Sequence, residues 1–399
     1  MPMQQHFDGV AYKLGNAEIE AQLAMVRPLP IFSEEACALL AALSARILSD
    51  AEAKVYPDIV TLGFWCRSAS LRQMQKQYDM KENRLGRGIV FHVAPSNVAM
   101  NFAYSCFAAF LAGNASIVRL PSKDFPQVTL FCRFFSETLA DFPALAPYFL
   151  FVRYGYDQEV NDHYSQLCQT RVIWGGDATI GAIRRSPLAS RANEISFADR
   201  HSFAVLDADV YLAVTDKERI AQDFYNDTYL SDQNACTSPQ FVVWLGAEVE
   251  AAQEVFWRTL HEVVYERYAL QAVQAVDKLT HLYQLGVNFE IRKNPMPDNL
   301  ITRVRVMNLT EGLTVYKGRS GFFIEYYAKE LAEIRPLCTI SCQTLSYYGV
   351  KRDSLLQTVL DIRPAGVDRI VPIGRTMDFS LVWDGVDLIR TMSRVVSIV

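Results

Sequence analysis

The stretch Gly88–Lys123, GIVFHVAPSNVAMNFAYSCFAAFLAGNASIVRLPSK, decides the fold of this chain. Its first apolar run, Ile89–Ala94, stops at a proline, which is typical of a short buried parallel strand. Asn97 lies where a helix is expected to begin, and Gly113 closes that helix because glycine tolerates the left-handed cap conformation. Ile117–Leu120 is a second apolar run. Strand, helix and strand make one βαβ unit, which predicts a parallel sheet covered by helices.

The same alternation continues towards the C-terminus. Further short apolar runs lie at Phe149–Tyr154, Val172–Trp174, Ser202–Leu206 and Phe241–Leu245. Ala247–Leu285 is rich in helix formers and is expected to be helical. The predicted fold class is therefore α/β throughout. The β-branched end, Val395–Val399, is expected to be a strand that pairs with another subunit.

Composition and charge narrow the class of function. The chain has 399 residues, 50% hydrophobic and 21% charged, which is a globular composition with room for two or three domains. Lys and Arg number 39 and Asp and Glu number 44, so the net charge is −5. The longest strongly apolar stretch, Phe102–Gly113, is shorter than the about 20 residues that span a bilayer. We therefore expect neither a nucleic-acid partner nor a membrane span.

The eight cysteines are scattered, and no secretory signal pattern opens the sequence. This predicts reduced thiols in a cytoplasmic protein. Cys338 and Cys342 lie close in sequence, but no second pair or nearby histidine accompanies them. No metal site is therefore expected.

Two residue types suggest covalent chemistry on an acyl group. Cys236, in SDQNACTSPQFVVW, is predicted to lie on a turn before a strand, where a thiolate can act as a nucleophile. Asn97, in PSNVA, follows a strand, where an amide can donate to an oxyanion. Taken alone, each residue is more often structural, as a buried thiol and as a helix cap.

Other residues suggest phosphate binding. Arg119 and Lys123 flank a Leu-Pro-Ser segment after a strand, and ligands of open α/β sheets bind outside the carboxyl ends of strands. Gly175 and Gly176 lie between a strand and a helix, where backbone can approach a pyrophosphate. The sequence contains neither GxGxxG nor GxxxxGK[ST], so the usual dinucleotide and P-loop fingerprints are absent.

The order and spacing of these features resemble the aldehyde dehydrogenase superfamily, and most closely the LuxC-type acyl-CoA reductases. The resemblance runs from about Gly88 to the C-terminus, and its most specific piece is Asn234–Gln240, NACTSPQ. The next most specific pieces of the resemblance are HVAPSNVAMNF, LAGNASIVRL and RIVPIGRTMDFSLVWDG. The resemblance implies two open, twisted α/β sheet domains with the active site between them.

The resemblance also implies a division of the chain. Residues 1–87 would be an N-terminal helical segment packed on the cofactor domain. Residues 88–200 would bind NADP(H), with residues from about 372 to 399 rejoining them. Residues 201–371 would form the catalytic domain that carries Cys236.

Roles follow for single residues. Cys236 would accept the acyl group, and Asn97 would be the oxyanion-hole amide. Cofactor-binding positions implied by the resemblance are Pro95, Arg119, Ser122, Lys123, Gly175 and Gly176. NADPH is the expected cofactor, because Arg119 and Lys123 can pair with a 2′-phosphate.

The chain departs from the hydrolytic members of the superfamily in one informative way. Those members carry a general-base glutamate, and Phe197 stands at that position here, with Glu194 three residues away. Without a base, water is not activated to hydrolyse a thioester. A second departure is that no clear Glu-Ile-Phe segment is present for the nicotinamide ribose, and Glu325 is the nearest acid.

We therefore expect an oxidoreductase that reduces an acyl-CoA, or an acyl group from a carrier protein or acyl synthetase, to a fatty aldehyde. An oxidising aldehyde dehydrogenase is an alternative, with Glu194 as its base. A nucleotide-independent cysteine acyltransferase or thioesterase is another, with His92 or His201 paired to Cys236. A non-catalytic scaffold is the third. A homo-oligomer is one of the assemblies that the sequence allows.

Overall fold

Contacts within the chain divide it into two units, Met1–Ala198 with Ser380–Val399, and Asp199–Phe379. The computed structural model describes residues 7, 9–80, 82–96 and 98–398. Residues 1–87, which are expected to pack on the cofactor domain, lie in the same unit as residues 88–198, whereas residues 199 and 200 lie in the other unit. The segment that returns to this unit begins at Ser380.

The first unit contains a six-stranded sheet. Its elements before Ala198 are β1 (Ala11–Leu14), α1 (Ala17–Leu23), α2 (Glu34–Ser49), α3 (Pro57–Trp65), α4 (Ser68–Gln75), β2 (Arg84–Gly86), β3 (Ile89–Val93), α5 (Asn101–Leu111), β4 (Ala115–Arg119), α6 (Pro126–Ala140), β5 (Phe149–Arg153), α7 (Gln158–Leu167), β6 (Thr170–Trp174), α8 (Asp177–Ile183) and β7 (Asn193–Phe197). The strand order is β1-β5-β4-β3-β6-β7, antiparallel between β1 and β5 and parallel elsewhere. The chain first steps from β3 to β4 and later crosses to β6 on the other side of β3. A topological switch point therefore lies between β3 and β6.

The second unit contains a seven-stranded sheet. Its elements are β8 (His201–Asp207), α9 (Ala208–Ala213), α10 (Lys217–Thr228), β9 (Pro239–Leu245), α11 (Val249–Arg267), α12 (Ala272–Asn288), β10 (Ile291–Asn294), β11 (Thr302–Val306), β12 (Phe322–Tyr327), β13 (Cys342–Tyr348), α13 (Arg352–Ile362) and β14 (Arg369–Pro372). The order is β10-β11-β12-β9-β8-β13-β14, with an antiparallel pair at β10 and β11. The stretch expected to be helical, Ala247–Leu285, is divided between α11 and α12. Among the described residues, no helix is both long and apolar enough to cross a membrane.

The C-terminal segment returns to the first unit and pairs with it. It contains β15 (Val382–Trp383), β16 (Val386–Asp387), α14 (Leu388–Met392) and β17 (Ser393–Val395). β17 pairs antiparallel with β2 of the same chain, with Val395 opposite Arg84. The strand predicted at Val395–Val399 is therefore confirmed only for Val395, where β17 ends, and its pairing with another subunit stays a prediction. The backbone groups along β2 require a partner, and β17 supplies it. Val399 lies outside the described residues.

The βαβ unit predicted from the sequence is confirmed, except for the start of its helix. β3 and β4 are parallel neighbours, and α5 connects them. α5 begins at Asn101, four residues after Asn97, which itself lies outside the described residues. Gly113 has a φ of 90°, and a Cβ at this position would meet the carbonyl oxygen of Leu29 at 2.0 Å. Both the conformation and the close approach therefore require glycine.

Asn114 joins three parts of the first unit. Its Oδ1 accepts hydrogen bonds from the backbone N–H groups of Arg87 (2.7 Å) and Gly88 (3.0 Å). Its Nδ2 donates to the carbonyl oxygens of Ala109 (3.0 Å) and Met392 (2.9 Å). One fully buried amide thus connects the entry to β3, the end of α5 and the C-terminal segment.

The second unit is organised around a buried ion pair. Glu325, on β12, is fully buried, and its carboxylate is 2.9 Å from Nε of Arg303 on β11. Further donors to this carboxylate are Trp244, Gln253, Trp257 and Asn294. These contacts satisfy both oxygens and exclude solvent. Glu325 therefore has a structural role and is not exposed to bind a ribose.

Arg303→Met is expected to lower the free energy of unfolding by about 3–5 kcal/mol, because it leaves a buried carboxylate without its counter-charge. Urea unfolding measures this change. Arg305→Met is the matched control, since Arg305 is on the same strand and packs over the ring of Tyr327. That variant should lose about 1 kcal/mol or less. Equal losses in the two variants would contradict the assignment.

Candidate active site

Cys236 lies on a tight turn directly before β9, as the sequence predicts. The carbonyl of Ala235 accepts a hydrogen bond from the N–H of Ser238 at 3.0 Å. The Oγ of Ser202, on β8, donates to the carbonyl oxygen of Cys236 at 2.6 Å. Cys236 is half-buried, as is Cys37, whereas the other six cysteines are buried. A partly accessible thiol is therefore carried by a backbone that is fixed to a neighbouring strand.

Gln233 fixes the chain immediately before this turn. Its buried Oε1 accepts from the N–H groups of Gly321 (3.0 Å) and Phe322 (3.2 Å). Its Nε2 donates to the carbonyl oxygens of Pro239 (2.8 Å) and Phe322 (3.2 Å). One side chain therefore connects the segment before Cys236 to the start of β9 and the start of β12.

The backbone of this segment is strained. Asp232 and Gln233 have φ values of 51° and 57°, in the left-handed region that non-glycine residues rarely adopt. The hydroxyl of Tyr268 donates to Oδ1 of Asp232 at 2.6 Å, and the N–H of Ser320 donates to its carbonyl oxygen at 3.0 Å. These contacts compensate for the strain and fix the approach to Cys236.

The sequence did not reveal Ser202, Gln233 and Met377. The Oγ1 of Thr237, next to Cys236, donates to Sδ of Met377 at 3.3 Å. The contacts of Ser202, Gln233 and Met377 described above join residues that are far apart in sequence, except for the bond of Gln233 to Pro239. Met377 lies within the RIVPIGRTMDF motif, which was the one available signal.

The two histidines considered as partners of Cys236 occupy structural positions. His92 is fully buried between Oγ of Ser105 (2.8 Å) and Oγ of Ser116 (3.3 Å), and burial lowers its pKa to about 3. The Nε2 of His201 donates to the carbonyl of Leu337 at 2.9 Å, and burial lowers its pKa to about 4. His201 precedes Ser202 on β8, so the two side chains point to opposite faces of the sheet. These contacts do not support a Cys–His pair.

The acid considered as a general base is part of an ion-pair network. Oε2 of Glu194, on β7, accepts from Nε (2.9 Å) and Nη2 (2.6 Å) of the buried Arg171. Its Oε1 accepts from Nε of Arg184 at 2.7 Å. Phe197, which the sequence comparison with hydrolytic aldehyde dehydrogenases aligns with their base, stacks on Trp174 with ring centroids 3.9 Å apart. This geometry argues against water activation by Glu194.

The predicted cofactor residues follow three neighbouring strands of the first unit. β4, β3 and β6 are adjacent and parallel, so their carboxyl ends share one edge of the sheet. Pro95 follows β3; Arg119, Ser122 and Lys123 end or follow β4; and Gly175 and Gly176 follow β6. This edge includes the switch point between β3 and β6, where open α/β sheets bind ligands.

Arg119 is held at the end of β4. Its Nη2 donates to the carbonyl oxygen of Gly155 at 2.9 Å, and its guanidinium carbon is 4.6 Å from the ring centroid of Tyr154. Lys123 is exposed, with Nζ 5.0 Å from the ring centroid of Phe125. The edge therefore presents one positioned cation and one exposed cation.

The neighbouring acid, Asp124, pairs with Nη1 of Arg153 at 2.9 Å. Gly176 has an ordinary φ of −69°, and a Cβ there would meet no atom within 4 Å. A Cβ at Gly175 would approach Cγ2 of Thr179 at 3.0 Å. Open space beside Gly176 is compatible with a ligand that approaches the backbone.

Asn97, the predicted oxyanion-hole amide, lies outside the described residues. Within the described parts of the chain, no group of three or more His, Cys, Asp or Glu side chains is placed to hold a metal ion.

Comparison with solved structures identifies the fold. A 1-pyrroline-5-carboxylate dehydrogenase of Thermus thermophilus superposes with a TM-score of 0.59 at 14% identity, over 98% of this chain and 90% of that chain. Lactaldehyde dehydrogenase of Escherichia coli gives 0.62 at 13% identity, over 94% and 87%. A benzaldehyde dehydrogenase of Corynebacterium glutamicum, described as NAD-dependent, gives 0.61 at 13% identity, over 98% and 93%. The chain therefore has the aldehyde dehydrogenase fold.

Sequence comparison gives the family. No curated protein sequence matches the chain significantly. The family model described as acyl-CoA reductase (LuxC) matches residues 61–276, which is more than half of the chain and includes Cys236. The protein therefore belongs to the LuxC acyl-CoA reductase family.

Proposed function

We propose that the protein transfers the acyl group of an acyl-CoA, or of a related acyl thioester, to Cys236 and reduces it to the aldehyde with NADPH. Family membership makes the protein an oxidoreductase that reduces acyl groups to aldehydes. The observation that supports the covalent route is the half-buried thiol on a turn fixed by Gln233 and Ser202. Positioned nucleophiles of this kind form covalent intermediates.

Acyl transfer begins with attack of the Cys236 thiolate on the thioester carbonyl. A carbon–sulfur bond forms, and negative charge develops on the carbonyl oxygen. From the resemblance we assign donation to this oxyanion to the side chain of Asn97 and the backbone N–H of Cys236. The bond from the donor's sulfur to carbon then breaks, and the departing thiolate takes up a proton.

The acyl-enzyme must survive until it is reduced. The hydrophobic Phe197 and the ion-paired Glu194 favour survival, because neither side chain takes a proton from water. When bound, the nicotinamide supplies the hydride that reduces the thioester carbonyl. The bond between Cys236 sulfur and carbon then breaks, which releases the aldehyde and restores the thiolate.

The edge formed by β4, β3 and β6 fits a dinucleotide phosphate. Arg119, Lys123 and the Ser122 hydroxyl suit a 2′-phosphate, which favours NADPH over NADH. The open space at Gly176 suits the pyrophosphate. From the resemblance we assign Gly175 and Pro95 to the same cofactor.

Cys236→Ala should abolish the covalent adduct formed with dodecanoyl-CoA and reduce aldehyde formation by at least about a thousandfold, because the nucleophile is lost. Intact-protein mass spectrometry before and after addition of NADPH measures the adduct and its disappearance. Cys37→Ala is the control, since Cys37 is the other half-buried cysteine. An adduct that persists in Cys236→Ala would refute the nucleophile, and one indifferent to NADPH would indicate an acyltransferase.

Arg119→Gln should raise the KM for NADPH by about tenfold or more and leave the KM for NADH nearly unchanged, because a charge-assisted contact contributes about 1.5–3 kcal/mol. Steady-state kinetics with both cofactors test this. Arg153→Gln, which removes the partner of Asp124, is the matched control. Equal increases for both cofactors would contradict recognition of the 2′-phosphate.

Gly176→Ala should weaken cofactor binding by about tenfold, because the added methyl group occupies the space assigned to pyrophosphate. The fold should tolerate it, since a Cβ there meets no atom within 4 Å. Gly181→Ala, in α8 and also in open space, is the control and should affect only helix stability. Titration by cofactor fluorescence measures both variants, and unchanged affinity in Gly176→Ala would contradict the placement.

A further inference from the structure

The segment Gly374–Asp378 contacts the turn that carries Cys236. Met377 accepts the hydrogen bond from Thr237 at 3.3 Å, and 39% of its surface remains exposed. This segment belongs to the motif RIVPIGRTMDFSLVWDG, which the proposed chemistry does not use.

A buried carboxylate holds the segment. Asp227, on α10, is 1% exposed. One of its oxygens accepts from the N–H of Gly374 at 2.7 Å, and the other accepts from the N–H of Thr376 at 3.1 Å. From the other side, the guanidinium of Arg369 donates to the carbonyl oxygens of Thr376 (3.1 Å) and Asp378 (2.9 Å). The segment is therefore fixed on both sides.

We propose that Asp227 is a positioning residue for acyl transfer: its carboxylate holds Gly374–Asp378 so that Met377 restrains the turn of Cys236. The inference rests on the proposed function, because acylation of Cys236 is its main readout. Asp227 itself need not touch the acyl group.

The free-energy cost of burying the charged carboxylate of Asp227 supports this role. Burial, and to a smaller extent the carboxylate of Asp223, raise its pKa to about 6, although the donors of Gly374 and Thr376 oppose the increase. On the side of the segment, Arg369 is bonded to carbonyl oxygens and Arg375 pairs with Asp378. Protonation exchanges an acceptor for an O–H donor and weakens the hold on two N–H groups.

Ionisation of Asp227 is expected to lower the stability of the fold and, at the same time, to speed acylation of Cys236. Its pKa in the folded state exceeds the ordinary value of 3.8, so the folded state takes up the proton first as the pH falls. Its contribution to stability is therefore present at acidic pH and is lost as the pH rises through about 6. At neutral pH the ionised carboxylate therefore lowers the stability of the fold. A purely structural role does not account for such a group.

The test compares the wild type with Asp227→Asn and with Asp223→Asn, its neighbour one turn earlier. Acylation of Cys236 by dodecanoyl-CoA is followed by intact-protein mass spectrometry between about pH 5 and 8, and thermal unfolding is measured in the same buffers. Asp227→Asn should acylate about tenfold more slowly at pH 8, with the KM for NADPH unchanged. Below about pH 6 the acylation rates of the two proteins should converge, while the wild type gains stability relative to Asp227→Asn. Asp223→Asn should acylate as the wild type at pH 8, and its decline towards acid should lie at a lower pH, because a carboxylate that raises the pKa of Asp227 is removed.

Two further variants keep the test decisive if Asp227→Asn folds poorly. Met377→Ala and Thr237→Val remove the contact from its other end and should also slow acylation. Asp227→Asn should add little in the Met377→Ala background, because both changes act through one segment.

Three results would overturn the proposal. They are wild-type acylation by Asp227→Asn at every pH, a ratio of wild-type to Asp227→Asn acylation rates that does not fall towards acid, and additive effects of Asp227→Asn and Met377→Ala. Alkylation of Cys236 by iodoacetamide provides a separate readout. A wild type that is alkylated at Cys236 but never acylated would refute the proposed function, while the alkylation rates of the variants would still decide the role of Asp227.

Discussion

The amide of Gln233 satisfies backbone groups that the sheet of the second unit leaves unpaired near Cys236. Its oxygen accepts from the start of β12, and its nitrogen donates to β9 and β12. Buried backbone groups without partners cost about 1–3 kcal/mol each, so this side chain permits the left-handed backbone at Asp232 and Gln233. At this point the Gln233 side chain replaces hydrogen bonds between backbone groups of neighbouring strands, and the position of the thiol depends on this replacement.

The sequence predicts the interior of the fold better than its edges. β3, β4 and β9 read as continuous apolar runs because parallel strands are buried on both faces. β7 (NEISF) does not read as an apolar run, because an edge strand alternates polar and apolar residues. The turn of Cys236 was predicted from local residues, whereas Ser202, Met377 and Asp227 act through contacts that no local pattern encodes.

Two acids that the sequence offers for chemistry have structural roles. Glu194 is paired with two arginines in the first unit, and Glu325 is enclosed with Arg303 in the second. Both lie on strands, where a carboxylate facing the interior requires a fixed counter-charge. Sequence spacing alone cannot distinguish such an acid from a catalytic one, because the partner arginine is 10 to 23 positions away.

The return of the chain at Ser380 has a consequence for biosynthesis. β2 and Asn114 emerge from the ribosome early, but their partners β17 and Met392 lie near the C-terminal end. Translation proceeds at about 5–20 residues per second, so roughly 10–40 s pass while the intervening second unit is made. During that interval the first unit exposes an unpaired strand edge, which can pair with a strand of another chain and lead to aggregation. Nascent chains stalled before Ser380 would therefore be substrates for chaperones.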